Sequence, residues 1–182
     1  MTKRILIPIA DGTEDLEAVA LVDVLRRSGA DVTVASVGGL TVKCAKGVQI
    51  TADHALSDCV SEQYDLIVLP GGSKGAEHLR DNAQLTSMLK AQRDSGRLYG
   101  AICASPAVVL EHHGLLAGKK ATAYPGYESK LKDPSRAHER VVIDGSCVTS
   151  QGPGTAVEFG LVLIEQLFGK AKRTEIERQI IF

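Results

Sequence analysis

The chain has 182 residues and a formal net charge of -1 at pH 7, and 44% of its residues are hydrophobic and 24% charged. This length predicts a single domain over residues 1–182, and the composition is ordinary for a globular protein. The balanced charge excludes a strongly basic nucleic-acid footprint, and the longest apolar runs are too short to span a bilayer. We therefore expect neither a nucleic-acid nor a membrane partner.

The four cysteines lie far apart, and none forms a CxxC pair or a spacing typical of metal ligands. A chain of this length does not need disulfides to fold. The first four residues also lack a signal-peptide pattern. We therefore expect free thiols, no metal ion and a reducing cytoplasmic location. The cysteines are Cys44, Cys59, Cys103 and Cys147.

Strand and helix patterns alternate along the chain. Apolar and β-branched runs predict strands, and apolar residues at helical spacing, such as Leu16, Val19 and Val24, predict helices between them. The predicted strands are residues 4–9, 31–36, 65–69, 98–102, 120–124, 140–143 and 147–150, with a hairpin at 42–50. The predicted helices are residues 13–29, 81–95, 105–113 and 152–167, followed by a short charged helix.

This alternation predicts a doubly wound, flavodoxin-like α/β domain with helices on both faces of a mostly parallel sheet. Thr13 and Ser105 are the predicted N-caps of the first helix and of the helix that follows the fourth parallel strand. Ligands of such sheets bind beyond the carboxyl ends of the strands. Four strand ends are therefore expected on one rim: Asp11-Gly12, Gly71-Gly72, Cys103 and Gly152.

Cys103 ends an apolar strand directly before a predicted helix. The small residues around it let the backbone turn sharply. A nucleophile on such an elbow points into a cleft, and the positive end of the following helix favours its thiolate. Free cysteine is also a common small core residue. Its position alone therefore leaves Cys103 either reactive or simply packed in the core.

Four motifs follow one another along the chain: DGTEDLEA from residue 11, VLPGG from residue 68, AICASP from residue 101 and TSQGPGT from residue 149. In this order and at these distances they resemble the ThiJ/PfpI superfamily, in the branch of the DJ-one and bacterial ThiJ proteins. The resemblance covers residues 3–168, nearly the whole chain.

The resemblance implies that Cys103 is the reactive residue and that Glu17, on the first helix, hydrogen-bonds it. An ionised Glu17 would raise the pKa of the thiol, so the pair works only if Glu17 keeps a proton and donates it to the sulfur. A proton shared in this way belongs to the pair. The local sequence leaves a second interpretation open, in which Glu17 is a solvated acid on the helix surface.

The resemblance also implies an oxyanion site made of the backbone N–H groups of Gly72 and Ala104, with Gly71 in the same turn. Many relatives place a histidine opposite the cysteine, but here Tyr124 stands at that strand end. A protease-type triad of cysteine, histidine and acid is therefore poorly supported.

Two further groups of residues follow from the resemblance. Ser150, Gly152 and Pro153 match a segment that closes over the cysteine near a partner subunit. Arg27 and Lys46 match basic, anion-binding positions near a homodimer interface. Relatives often carry arginine in place of Lys46, so we expect weaker anion binding there. We therefore expect a symmetric homodimer that brings these basic groups together near each site.

Two functional classes remain. One is an enzyme that needs no metal, nucleotide or glutathione and converts glyoxal or methylglyoxal to 2-hydroxy acids, or removes early adducts from glycated proteins. The other is a redox sensor or redox-regulated chaperone in which Cys103 is oxidised to sulfinate. A nucleotide-binding module is disfavoured, because no GxGxxG motif follows the first strand.

Overall fold

The computed structural model describes residues 2–182, and its strands coincide with the apolar and β-branched runs of the sequence. These side chains fit the pleated, buried surface of a sheet. The strands are β1 (Arg4–Ile9), β2 (Asp31–Ser36), β3 (Thr41–Lys43), β4 (Gln49–Thr51), β5 (His54–Ala55), β6 (Leu66–Leu69), β7 (Leu98–Ile102), β8 (Val141–Asp144) and β9 (Cys147–Ser150).

Seven of these strands form one sheet in the order β5-β2-β1-β6-β7-β9-β8. The neighbours run parallel except at one edge, where β8 pairs antiparallel with β9. The predicted hairpin is present as the separate antiparallel pair β3–β4. The predicted mostly parallel, flavodoxin-like α/β fold is therefore confirmed.

Helices cover both faces of the sheet. Successive residues Ile5, Leu6 and Ile7 of β1 are all fully buried, and successive strand residues point to opposite faces. One helical layer packs α1 against α4, and the other contains α2, α3 and the π-helix. The helices are α1 (Asp15–Arg27), α2 (Ser73–Asp81), α3 (Ala83–Asp94), a π-helix (Pro106–Glu111), α4 (Ala156–Phe168) and α5 (Lys170–Ile180).

One predicted N-cap, Thr13, is wrong, and the other, Ser105, is correct in position but makes no side-chain cap bond. Glu14, not Thr13, is the N-cap of α1, because the Glu14 carboxylate accepts the Glu17 N–H at 2.8 Å. The Thr13 hydroxyl instead accepts the Ala10 N–H at 3.0 Å and closes the turn before the helix. The Ser105 side chain caps nothing, because its hydroxyl donates to the Pro70 carbonyl at 2.6 Å. The helix after it is a π-helix, a form that is frequent at functional sites.

The region from residue 73 to 95 contains two helices where one was predicted. Asn82 leaves the helical conformation, and its side chain accepts the Leu85 N–H at 2.9 Å, so it caps α3. The first helix, α2, was missed because Gly75 in its first turn is a weak helix former. An added Cβ at Gly75 would lie 2.6 Å from the Thr13 nitrogen, so this glycine lets α2 approach the turn after β1.

Residues 120–124 are not a strand, although their alternation predicts one. Both edges of β9 are already occupied by β7 and β8, and the segment does not join the free outer edge of β8. Its N–H groups bond elsewhere: Thr122 donates to the Thr149 hydroxyl at 3.0 Å, and Tyr124 donates to the Cys103 carbonyl at 2.8 Å. The irregular segment therefore crosses the end of β7.

One smaller difference concerns the start of the predicted helix 152–167. The segment Pro153–Thr155 forms a 3-10 turn, and the α-helix begins only at Ala156. Across residues 2–182, no helix combines the length and the apolar character that crossing a membrane requires.

Candidate active site

Cys103 sits on a strained elbow at the carboxyl end of β7. Its φ of 66° lies in the left-handed region that a non-glycine residue rarely adopts. Two hydrogen bonds hold this conformation, because the Cys103 N–H donates to the Ser150 carbonyl at 3.0 Å and its carbonyl accepts the Tyr124 N–H at 2.8 Å. The sharp turn directs the side chain to the end of the sheet, as in other nucleophile elbows.

Gly71 and Gly72 allow the chain after β6 to pass against this elbow. An added Cβ at Gly71 would lie 2.5 Å from the Cys103 Cβ and 2.8 Å from Glu17 Oε2. Gly72 has a φ of 89°, and an added Cβ there would overlap the Gly12 carbonyl oxygen. Glycine at both positions is therefore required for the contact between the β6 turn, the cysteine and α1.

Glu17 is fully buried on α1, which excludes the interpretation of a solvated surface acid. Its Oε2 accepts the Gly71 N–H at 2.7 Å, and its Oε1 is buried with no hydrogen-bond partner among residues 2–182. Burial raises the pKa of Glu17 to about 7, although the Gly71 N–H opposes part of that rise. A proton on this carboxyl group is therefore stable near neutral pH.

The pKa of Cys103 is raised, which is opposite to the direction expected from the following helix. Burial of the thiol is the main cause, and the charge of an ionised Glu17 is the second. The backbone N–H groups of Gly72 and Ala104 act in the other direction and favour the thiolate. The positive end of the six-residue π-helix after the cysteine favours the thiolate less than burial disfavours it.

Cys103 and Glu17 form one coupled pair. Burial is the main cause of the raised pKa of each group. The two groups together therefore keep a proton across neutral pH. When Glu17 holds that proton, the negative charge that opposes the thiolate is absent. The backbone N–H groups of Gly72 and Ala104 then favour the thiolate. Burial and an ionised Glu17 both favour the thiol, so a thiolate at Cys103 is favoured only while Glu17 keeps its proton.

The sulfur lies at the base of a cleft of about 500 Å³ at the carboxyl ends of the parallel strands. The strand ends therefore meet at one rim, as the topology predicts. Seven residues singled out in the sequence line this cleft: Gly12, Lys46, Gly72, Cys103, Ala104, Tyr124 and Pro153.

The other candidate residues lie behind or away from the cleft. Ser150 is buried, and its hydroxyl donates to the Arg140 carbonyl at 2.9 Å, so its side chain supports the turn after β9. Gly152 lies against the ring of Tyr124, where an added Cβ would come within 3.0 Å. Arg27 is exposed on α1 and pairs with Asp23 at 2.8 Å, so a single chain does not bring it to the cleft.

Sequence reasoning missed five residues of the cleft lining, of which Glu14 and Ala45 lie close along the chain to lining residues that were singled out. Ser73 and Lys74 line it at the start of α2, and Tyr127 lines it from the irregular segment after residue 120. The Ser73 and Tyr127 hydroxyls lie 3.1 Å apart, within hydrogen-bond distance. Ser73 and Lys74 directly follow the Pro-Gly-Gly turn, which was a usable signal. Tyr127 carries no comparable signal, because its segment has no regular periodicity.

Histidine and metal chemistry find no support near the cysteine. None of the residues described as lining the cleft is a histidine. His78 instead contacts the Asp11 carbonyl at 2.9 Å, and His113 contacts the Arg80 carbonyl at 2.8 Å. Within residues 2–182, no cluster of three or more histidine, cysteine, aspartate or glutamate side chains has a geometry suited to a metal ion.

Comparison with known proteins places this geometry in one family. The DJ-1/PfpI family model matches residues 3–166. Toxoplasma gondii DJ-1, in a structure described as oxidized, superposes with a TM-score of 0.97 at 46% identity, covering 100% of this chain and 99% of that one. The glutathione-independent glyoxalase DJR-1.2 of Caenorhabditis elegans is 38% identical over 94% of this chain and 91% of its own length.

A longer relative is the Protein DJ-1 homolog B of Arabidopsis thaliana, which is 50% identical over 97% of this chain. The chain spans less than half of that relative, because the match covers 41% of its length. The family model nevertheless covers nearly all of the present chain, and the two other relatives match it over almost their full length. The chain therefore belongs to the DJ-1/PfpI family.

Proposed function

We propose that this protein converts reactive dicarbonyls such as methylglyoxal and glyoxal to 2-hydroxy acids, with Cys103 as the nucleophile and without a cofactor. The observation that carries this proposal is the strained Cys103 elbow next to the buried Glu17, whose pKa of about 7 suits proton transfer at neutral pH. The relative described as a glutathione-independent glyoxalase supports it.

The reaction begins with attack of the Cys103 thiolate on the aldehyde carbon of the substrate. The new carbon–sulfur bond gives a hemithioacetal, and the aldehyde oxygen takes the proton that Glu17 held. The N–H groups of Gly72 and Ala104, which favour the thiolate, lie close enough to stabilise charge that develops on this oxygen. Glu17 is left ionised and ready to act as a base.

Glu17 then removes the proton from the former aldehyde carbon and returns it to the neighbouring ketone carbon. The hydroxyl proton of the hemithioacetal passes to the ketone oxygen in the same rearrangement. The first carbon is thereby oxidised to a thioester and the second is reduced to an alcohol, so no external oxidant is needed. Water hydrolyses the thioester, which releases the 2-hydroxy acid and restores the thiol. Removal of early adducts from glycated cysteine, lysine or arginine would use the same covalent start.

A redox sensor or redox-regulated chaperone is the second candidate. One peroxide would convert the Cys103 thiolate to sulfenate, releasing water, and a second would give sulfinate. A protonated Glu17 could donate a hydrogen bond to a sulfinate oxygen. The oxidized form of the Toxoplasma gondii relative favours this candidate. All four thiols are free, which supports a reducing location such as the cytoplasm for either role.

We also propose a homodimer, formed in part through α1. Leu16 and Val19 of α1 are 56% and 51% exposed, which is high for large apolar side chains. A shallow groove of about 290 Å³ lies beside them between Val22 and Ile50. Light scattering should give twice the chain mass of 19.3 kDa, and Val19→Asp should shift it toward one chain. A wild-type mass of one chain would contradict the dimer.

Lactate formation from methylglyoxal tests the enzymatic proposal. We expect turnover by the wild type, loss with Cys103→Ala, and retention with Cys147→Ala as the matched cysteine control. Glu17→Gln should keep Cys103 reactive toward iodoacetamide while losing most turnover, because an amide cannot shuttle a proton. Turnover that survives Cys103→Ala would overturn the proposal. No turnover, with peroxide adding two oxygen atoms to Cys103, would favour the redox role.

A further inference from the structure

The lining of the Cys103 cleft holds more lysines than acids, although the whole chain has a formal net charge of -1. Lys46 and Lys74 line the cleft, and neither forms an ion pair among residues 2–182. The ammonium group of Lys130 lies 4.7 Å from the ring centre of Tyr127, which also lines the cleft. One carboxylate, that of Glu14, is the only acid in the described lining.

The acids around the cleft already have partners. Glu14 Oε2 accepts the Glu17 N–H at 2.8 Å. The two carboxylate oxygens of Asp15 accept the Lys46 and Val48 N–H groups at 2.7 and 2.9 Å. These backbone hydrogen bonds leave both carboxylates charged, and Asp15 lies near enough to Lys46 to interact with its charge. In the lining itself two ammonium groups, those of Lys46 and Lys74, face one carboxylate, that of Glu14. This distribution favours an anionic group on whatever molecule enters.

The cleft is also much larger than the dicarbonyls named above. Its volume of about 500 Å³ lies in the range that holds ligands of many heavy atoms. Methylglyoxal would occupy only the base, next to Cys103. Tyr124, Tyr127 and Ser73 would then line space that the substrate does not reach. A longer substrate would fill that space and reach the lysines.

We propose that the preferred substrate is an α-oxoaldehyde whose far end carries a carboxylate, bound by Lys74 and Lys46 while the aldehyde meets Cys103. This inference rests on the proposed dicarbonyl activity and names its substrate class. The chemistry is unchanged: the thiolate adds to the aldehyde carbon, a proton moves to the ketone carbon, and water releases a 2-hydroxy acid with a second carboxylate. Lys74 acts as a specificity residue and takes no part in these steps.

The test compares three substrates with the full-length protein: methylglyoxal, an α-oxoaldehyde with a carboxylate two methylenes beyond its ketone, and the methyl ester of that compound. The acid and its ester differ in charge and hardly in length. We expect kcat/KM for the acid to exceed that for the ester by about fivefold or more in low salt, the scale of an exposed charge pair. The ratio should fall toward one at about 1 M salt, where the screening length is only about 3 Å.

Two variants separate recognition from general surface charge. Lys74→Met should lower the acid-to-ester ratio about threefold to fivefold. Lys43→Met is the matched control, because Lys43 lies on β3 of the same rim but does not line the cleft; it should leave the ratio unchanged. Equal kcat/KM for acid and ester in the wild type would overturn the substrate class alone. Absence of turnover with all three compounds would overturn the proposed activity and the substrate class with it.

Discussion

Two buried cysteines on neighbouring strands of the sheet have very different surroundings. Cys147 begins β9 opposite Tyr99, near the start of β7, whereas Cys103 follows the other end of β7. Burial raises the pKa of Cys147 to about 12, and the Tyr99 hydroxyl only partly opposes this. Cys147 has ordinary strand geometry, while Cys103 has a φ of 66°.

The difference shows that burial does not by itself decide whether a thiol is reactive. Desolvation is the main cause of the raised pKa at both cysteines. Only Cys103 adjoins an acid, Glu17, that can hold a proton near neutral pH, and two N–H groups that favour the thiolate. The carboxyl end of β7 also opens into a cleft, whereas Cys147 is enclosed by the sheet.

Thiol labelling should show the largest contrast. We expect limiting iodoacetamide to modify Cys103 at least about a thousandfold faster than Cys147, because labelling of Cys147 requires the sheet to open. Peptide mapping by mass spectrometry measures both rates in one sample. In concentrated urea the two rates should converge, which serves as the control. Comparable labelling rates of Cys103 and Cys147 in the native protein would contradict this expectation.

Gly72→Ala should disrupt the packing of the turn that lies beside Cys103. The added Cβ would overlap the Gly12 carbonyl oxygen at a backbone φ of 89°, so we expect a loss of about 3 kcal/mol or more in the free energy of unfolding. Gly114→Ala is the matched control, since Gly114 has a φ of 70° and nothing within 4 Å of an added Cβ. It should cost about 1 kcal/mol. Urea unfolding of both variants tests this, and equal losses would contradict it.

The pH dependence of stability should report the proton on Glu17. Its pKa rises from 4.5 to about 7 on folding, so between these values the folded state holds a proton that the unfolded state has lost. The contribution to stability is therefore full below about pH 4.5, decreases as pH rises, and is gone above about pH 7. We expect a change on the order of 3 kcal/mol.

The matched variant for this measurement is Glu17→Gln, which has no proton to lose. Subtracting its free energy of unfolding from that of the wild type at each pH removes the titration of all other groups. The difference should fall between about pH 4.5 and 7. A flat difference would mean that the carboxyl group has an ordinary pKa in the folded protein.

The smallest expected effect concerns the thiol pKa in Glu17→Leu. Leucine removes the proton donor beside the sulfur, so the pKa of Cys103 should rise by about one unit relative to Glu17→Gln, whose amide still donates. Thiolate absorbance, titrated in a background without the other three cysteines, measures it. A pKa of Cys103 that is lower in Glu17→Leu than in the wild type would show that Glu17 is ionised and opposes the thiolate.

The sequence by itself determined the sheet and the rim. The apolar runs of β1, β2, β6 and β7 and the Gly71-Gly72 turn are local signals, and parallel strands must end on the same edge. The elbow at Cys103 was also predictable, because small residues and a proline follow an apolar strand there. The hairpin around Lys46 and Gly47 follows from the same kind of local pattern.

Only the tertiary structure decided what these local signals leave open. Residues 120–124 alternate like a strand, but they cross the end of β7 and their N–H groups bond to the Thr149 side chain and the Cys103 carbonyl, so long-range contacts override the local pattern. The pKa of Glu17 depends on burial by elements distant in sequence, and its partner Gly71 is 54 positions away. Tyr127 reaches the cleft through an irregular segment. Burial and long-range contact set these features, and neither is encoded in local periodicity.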